Sequence, residues 1–253
     1  MIDVWDTVLP ELSGEETRRA YVWLPDAAEE DEELRFPVLY MFDGHNVFFD
    51  EDATYGKSWG LGDYLEANQT PLIVAAVECS HDPDNGRLSE YAPYSFTWRG
   101  FGAIEGRGPL TMDWMINSFK PEIDRLYPTL PDREHTFIAG SSMGGLMTLY
   151  ALAAFGDTFS RGAALSPSVD FSPEAVKDMI RSAGWKDKVL YMDMGSEEMS
   201  RRVRSVYGEV TSLLIRRGAL VESRVIPGGF HSEASWERQI PFFLDTLFYQ
   251  PEE

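Results

Sequence analysis

The chain has 253 residues, 43% hydrophobic and 25% charged, enough to bury a substantial core in a single α/β domain. Its formal charge of −20, from 42 acidic against 22 basic residues, would repel phosphate backbones and anionic membrane surfaces, which argues against nucleic-acid and membrane partners. The lone Cys79 excludes an internal disulfide framework and any multi-cysteine metal site, and its place at the end of an apolar run marks it as a packed thiol.

In chain order, the first residues, MIDVWDTVLPELSGEETRR, carry acids where a secretion signal has a basic start and an unbroken apolar stretch, so a cytoplasmic protein is expected. No segment approaches the roughly 18 consecutive apolar residues of a membrane-spanning helix. Short β-rich runs predict strands at 17–24, 36–42, 72–78, 135–139, 162–165, 188–194 and 221–226. Apolar residues at helical spacing predict helices at 111–126, 143–155, 173–183, 200–217 and 232–248. The acidic run at 27–33 reads as a solvated loop. This alternation describes an α/β protein with a mainly parallel central sheet and helices on both faces, running as one domain over 1–253.

The segment 80–109 has no steady period. Loops of this length in compact domains are usually functional or disordered, and Tyr91, Tyr94, Phe96, Trp98 and Phe101 argue against disorder. It is expected to bind substrate.

The most informative stretch is HTFIAGSSMGGLMTLYALAAF, in which an apolar strand, the turn Gly140-Ser141-Ser142-Met143-Gly144 and an apolar helix follow one another. This is a G-x-S-x-G elbow in the context its mechanism requires, with Ser142 as nucleophile and the Met143 backbone N–H aimed at an oxyanion. No lysine follows, as a phosphate-binding loop would need.

A serine hydroxyl needs a positioned base, and the chain offers four histidines. His135 precedes the elbow strand, and His45 and His81 precede the serine. His231 follows the last predicted strand in IPGGFHSEASW. α/β-Hydrolases order their triad as serine, acid, histidine, which selects His231. The acid then falls within KVLYMDMGSEE. Asp193 lies inside the strand, which disfavours it because the carboxylate must reach over the sheet edge, whereas Glu197 and Glu198 lie just beyond it and spacing does not separate them.

These segments together, with YMFDGHNVFFD and NGRLSEYAPY, resemble a family of α/β-hydrolases that includes esterase D, enterochelin esterases, feruloyl esterases and mycolyltransferases. The resemblance runs from about Thr17 to Phe248 and implies the α/β-hydrolase fold, no cofactor, no metal and a small-molecule ester substrate. The family's acid pattern, G-x-x-D/E, lands on Glu198, leaving Glu197 as runner-up. Its D-G-x-N turn, here Asp43-Gly44-His45-Asn46, implies that the His45 backbone N–H is the second oxyanion donor. The N-terminal β-sandwich of the enterochelin esterases is missing, and the resemblance does not specify the acyl group.

The resulting expectation is a serine carboxylic ester hydrolase acting through an acyl-enzyme. An acyltransferase with the same triad, or a silent binding protein on this fold, are the alternatives. Aromatic residues concentrate in two segments placed after strands, with Phe48, Tyr94, Phe96 and Trp98 foremost and Arg87 and Arg99 flanking them. They favour short-chain or hydroxycinnamate-like aryl esters over long-chain lipids. The oligomeric state is not legible.

Overall fold

The computed structural model describes residues 1–98 and 100–250; Arg99 lies outside the described residues. The chain divides into two compact units, residues 1–137 and 138–253.

The first unit contains β1 (Ile2–Val8), α1 (Pro10–Ser13), β2 (Thr17–Trp23), α2 (Ala27–Glu30), β3 (Val38–Met41), α3 (Leu61–Ala67) and β4 (Ile73–Val77). α4 (Gly86–Glu90), β5 (Phe96–Trp98), β6 (Gly102–Ile104), α5 (Gly108–Trp114) and α6 (Lys120–Leu126) follow. β2 pairs antiparallel with β1 and with β4, and β4 pairs parallel with β3. Every residue of β3 and β4 is buried, as their unbroken apolar runs require of strands covered on both faces.

The segment expected to be a loop, 80–109, holds α4 and the β5–β6 hairpin. A fully buried ion pair anchors it: Arg18 on β2 makes a bidentate contact with Glu90 (2.8 and 2.5 Å), which also accepts the Ser80 N–H (2.9 Å). Helix 111–126 begins earlier, at Gly108, and contains a wider π-type turn over Met115–Phe119. Pro121 explains the turn, because its ring lacks an N–H and would clash with the carbonyl one turn back.

β7 (Thr136–Ser141) leads into the second unit, which continues with α7 (Met143–Ala154), β8 (Arg161–Leu165), α8 (Pro173–Ser182), β9 (Val189–Gly195), α9 (Arg201–Arg216), β10 (Leu220–Ile226), α10 (Glu233–Glu237) and α11 (Ile240–Leu247). β9 pairs parallel with β8 and β10. α7 packs on β8, α11 on β8 and β9, and α9 on α8 and β10. The expected final helix is two, and Pro241 in the first turn of α11 accounts for the break. β1–β4 and β7–β10 form an eight-stranded, mostly parallel sheet, so the fold is α/β as the alternation predicts.

Candidate active site

β7 is buried throughout and stops at Ser141. Ser142 then takes φ 59°, ψ −119°, a conformation costing a non-glycine residue about 1–3 kcal/mol, and α7 starts at Met143. Three backbone hydrogen bonds hold it there. The Ser142 N–H donates to the Leu165 carbonyl (2.9 Å), and the Ser142 carbonyl accepts from Leu146 (3.1 Å) and Ser168 (3.0 Å). Gly140 permits the turn, since a Cβ on it would lie 2.8 Å from the Gly144 carbonyl carbon. The Met143 N–H stands in the first turn of α7, where amides have no acceptor within the helix.

The acid and the histidine come from the loops after β9 and β10. Glu198 ends a short turn, Ser196–Glu198, just past Gly195. Its Oε1 accepts hydrogen bonds from the Gly195 N–H (2.9 Å) and the Ser166 hydroxyl (2.8 Å), and its Oε2 lies 2.5 Å from His231 Nδ1. The two loops are tied by Glu197 N–H to the Gly229 carbonyl (3.1 Å) and by Gly228 N–H to Ser196 Oγ (2.9 Å). They approach so closely that a Cβ on Gly195 would sit 2.3 Å from the Gly229 oxygen. Trp236, on α10, meets the His231 ring edge-on at 5.1 Å and 82°.

Glu197 points elsewhere; its carboxylate accepts from Ser196 Oγ (3.0 Å). Asp193 is inside β9 and 1% exposed, accepting from the Ser166 N–H (3.0 Å) and the Tyr191 hydroxyl (3.1 Å). Burial pushes its carboxyl up to about 7, against the pull of those donors.

Ser142, Glu198 and His231 line one cavity of about 570 Å³. Phe171, Met194, Val203 and Phe230 give it apolar walls; Ser166, Ser168, Asp170 and Glu197 give it polar ones, and among the described residues neither lysine nor arginine lines it. Ser142 Oγ makes a long contact with Ser168 Oγ (3.4 Å) and, among the described residues, no hydrogen bond to His231. Such bonds commonly tighten only when substrate binds. Ser166, Ser168, Phe171 and Trp236 had no role in the sequence reading. Trp236 lies five residues after His231 in a segment already singled out, and Ser166 to Phe171 follow a strand end, so position after a strand was the available signal.

The other candidate residues belong to the first unit. His45 is 7% exposed in a short 3₁₀ turn, Gly44–Asn46, its Nε2 against Thr54 Oγ1 (3.0 Å) and its Nδ1 buried without a partner among the described residues. Burial holds its ring below the usual imidazole range despite the raising effect of Asp43 and Glu78. Arg87 makes a bidentate pair with buried Asp43 (2.6 and 2.7 Å). Burial alone would raise the Asp43 carboxyl, but the Arg87 charge and hydrogen bonds hold it below the ordinary range. Asp43, His45 and Cys79 have ligand-type atoms within 4.8 Å of one another, yet this set suits a cation poorly because Arg87 already neutralises Asp43. Phe48 is buried against Tyr21 and Phe49. Phe96 and Trp98 are half-buried on β5, and the Tyr94 hydroxyl is buried without a partner among the described residues.

A serine at a strained strand-to-helix turn, on a mostly parallel α/β sheet with a carboxylate–imidazole pair on later loops, has the architecture of an α/β-hydrolase. The chain belongs to the family described as "Putative esterase", which matches residues 13–245, and it is a carboxylic ester hydrolase. The uncharacterized protein YbbA of Bacillus subtilis (strain 168) is 25% identical over 186 residues, 72% of this chain and 69% of its own. An IroE-like serine hydrolase from Shewanella oneidensis is similar in structure, with a TM-score of 0.73, 18% identity and 98% and 79% of the two chains covered. A ferulic acid esterase gives a TM-score of 0.63, with 18% identity and coverage of 98% and 97%. At these identities the structural likenesses establish the fold. Among the described residues no helix is long and apolar enough to cross a membrane.

Proposed function

We propose that the chain hydrolyses short-chain or aryl carboxylic esters in two steps through an acyl-enzyme on Ser142. His231 takes the Ser142 proton as Oγ attacks the ester carbonyl, and the oxyanion is held by the backbone N–H groups of Met143 and His45. The imidazolium returns the proton to the departing alcohol. His231 then activates water, which releases the acid and restores Ser142, while Glu198 orients the ring and stabilises its cation.

The observation that carries this reading is the 2.5 Å contact between His231 Nδ1 and Glu198 Oε2, in the same cavity as a serine strained at φ 59°. Phe171 and Phe230 favour an apolar or aromatic group, and the carboxylates of Asp170 and Glu197 on the same wall disfavour anionic esters. The rest of the proposal stands on the sequence: one working domain over 1–253, residues 80–109 as the substrate-binding loop with Tyr94, Phe96, Trp98, Phe48 and Arg87 contributing, and a cytoplasmic location.

The test is labelling with a fluorophosphonate and turnover of p-nitrophenyl acetate, butyrate, palmitate and a ferulate ester. We expect a label mapped to Ser142 by mass spectrometry, none in Ser142→Ala, and preference for the short and aryl esters. Normal turnover by Ser142→Ala would remove the mechanism; preference for palmitate would remove the substrate class alone.

A further inference from the structure

Glu198 keeps one oxygen for His231, and its other oxygen is held by two donors of different kinds. One is the Gly195 backbone N–H, fixed by the loop. The other is the hydroxyl of Ser166, which is 2% exposed and stands at the end of β8 with φ 41°. Ser166 Oγ in turn lies 3.0 Å from Trp236 Nε1. The indole nitrogen only donates and an ionised carboxylate only accepts, so the hydroxyl has one possible orientation. The chain of hydrogen bonds runs from Trp236 N–H to Ser166 Oγ, and from Ser166 O–H to Glu198 Oε1.

The same two residues reach the triad by other routes. The Trp236 ring packs edge-on against His231, so one side chain touches the imidazole and directs the hydrogen bond aimed at its carboxylate partner. The Ser166 N–H is bound to the backbone and side chain of Asp193 (3.2 and 3.0 Å), which fixes the residue on β9. A non-glycine residue persists at positive φ only where its surroundings over-determine it.

We propose that Ser166 and Trp236 are positioning residues for the hydrolysis. They fix the rotation of the Glu198 carboxylate and the tilt of the His231 ring, and neither exchanges a proton or a bond with substrate. With the hydroxyl gone, Oε1 keeps one donor and the carboxylate can turn away from Nδ1. A directed chain of this kind polarises along its length, so loss at either end weakens the hydrogen bond at the other.

The inference rests on the triad reading above, and its test separates the two. Ser166→Gly and Ser166→Ala both remove the hydroxyl, but only glycine relieves the positive φ, and Trp236→Phe keeps the ring while losing the N–H. With p-nitrophenyl butyrate, each Ser166 variant is expected to lose about tenfold to a hundredfold in kcat, the scale of a small misplacement of a catalytic group, with KM within about threefold. Trp236→Phe is expected to lose less, in the same direction. The His231 Nδ1 proton, assigned in the low-field NMR spectrum by its loss in His231→Ala, is expected to shift or broaden into solvent exchange in all three, while circular dichroism stays native. The proposal is overturned by unchanged kcat with an unmoved proton signal, by activity restored in Ser166→Gly but not in Ser166→Ala, or by kcat loss with the signal unmoved. A fully active Ser142→Ala would instead sink the triad reading. If a Ser166 variant fails to fold, the signal and kcat of Trp236→Phe decide.

Discussion

His45 and His231 each lie near a carboxylate just after a strand, and of these two settings the one at His231 is the better suited to proton transfer. At His45, the nearby Asp43 is gripped by Arg87, the ring is 7% exposed, and burial disfavours the charged imidazole. At His231, Glu198 has no lysine or arginine on it among the described residues, the ring side chain is 47% exposed, and Nδ1 faces the carboxylate. A base must accept a proton and reach its substrate; neutral donors on the acid and an open ring allow both. A buried carboxylate neutralised by arginine serves structure instead.

The largest expected effect breaks this contrast at the ring itself. His231→Ala is expected to lower kcat with p-nitrophenyl butyrate by about four orders of magnitude or more, and Ser142→Ala as much, with the double variant no worse. His45→Gln keeps its backbone N–H and is expected to stay within about tenfold of wild type, the loss being a disturbed oxyanion turn. Comparable losses at His45 and His231 would erase the distinction.

Next in size is the acid. Glu198→Gln is expected to cost about a hundredfold to ten thousandfold in kcat, because the imidazolium loses its carboxylate, whereas Glu197→Gln should change it by less than about threefold. Equal small losses would point to a serine–histidine dyad.

The structural side of the contrast is read in stability. Arg87→Met leaves the buried Asp43 carboxylate unpaired, and chemical denaturation should show a loss of about 3–5 kcal/mol, the usual cost of breaking a buried pair. Stability close to wild type would show that this pair contributes little.

The smallest effect concerns Asp193. Its folded-state carboxyl titrates near 7 and its unfolded one near the ordinary 3.8, so between these pH values the folded protein holds the extra proton. Stability from this group is therefore present at low pH and lost as pH rises toward and through 7. Asp193→Asn removes the dependence, so its melting temperature relative to wild type should climb from pH 4 to pH 8. A constant difference would mean that Asp193 does not titrate in this range.

Much of this arrangement is legible in the sequence where one local rule dominates. All seven strands named from their β-rich runs are present, and in five of them, β3, β4, β7, β8 and β9, every residue is buried, as a continuous apolar run requires. β1 is not legible because Val4, Asp6 and Val8 share its exposed face while Asp3, Trp5 and Thr7 share the more covered one, so neither face reads as apolar or polar. The hairpin inside 80–109 has three-residue strands, too short to show a period. In the candidate site, chain order picked out Ser142 and His231, since a strand-to-helix glycine turn and a post-strand histidine are local patterns. Glu198 needed a family pattern, because the groups that hold its carboxylate toward the ring, the Gly195 N–H and the distant Ser166 hydroxyl, are set by the fold and not by spacing along the chain. Ser166 and Trp236 are joined by a hydrogen bond across 70 residues, which no window along the chain can register.

The contact between Gly195 and Gly229 also bears on how such an enzyme can diversify. The Glu197 N–H to Gly229 carbonyl bond ties the loops carrying Glu198 and His231 backbone to backbone, so their spacing does not depend on the side chains that wall the cavity. Phe171, Val203 and Phe230 line the cavity but take no part in that lock. On the proposed mechanism, a combinatorial library at these three positions is expected to reshape the cavity beside Ser142 while leaving the His231–Glu198 contact in place. One that also varies Gly195 or Gly229 should return mostly inactive clones, so the two glycines divide the site into a part free to evolve and a part that is not.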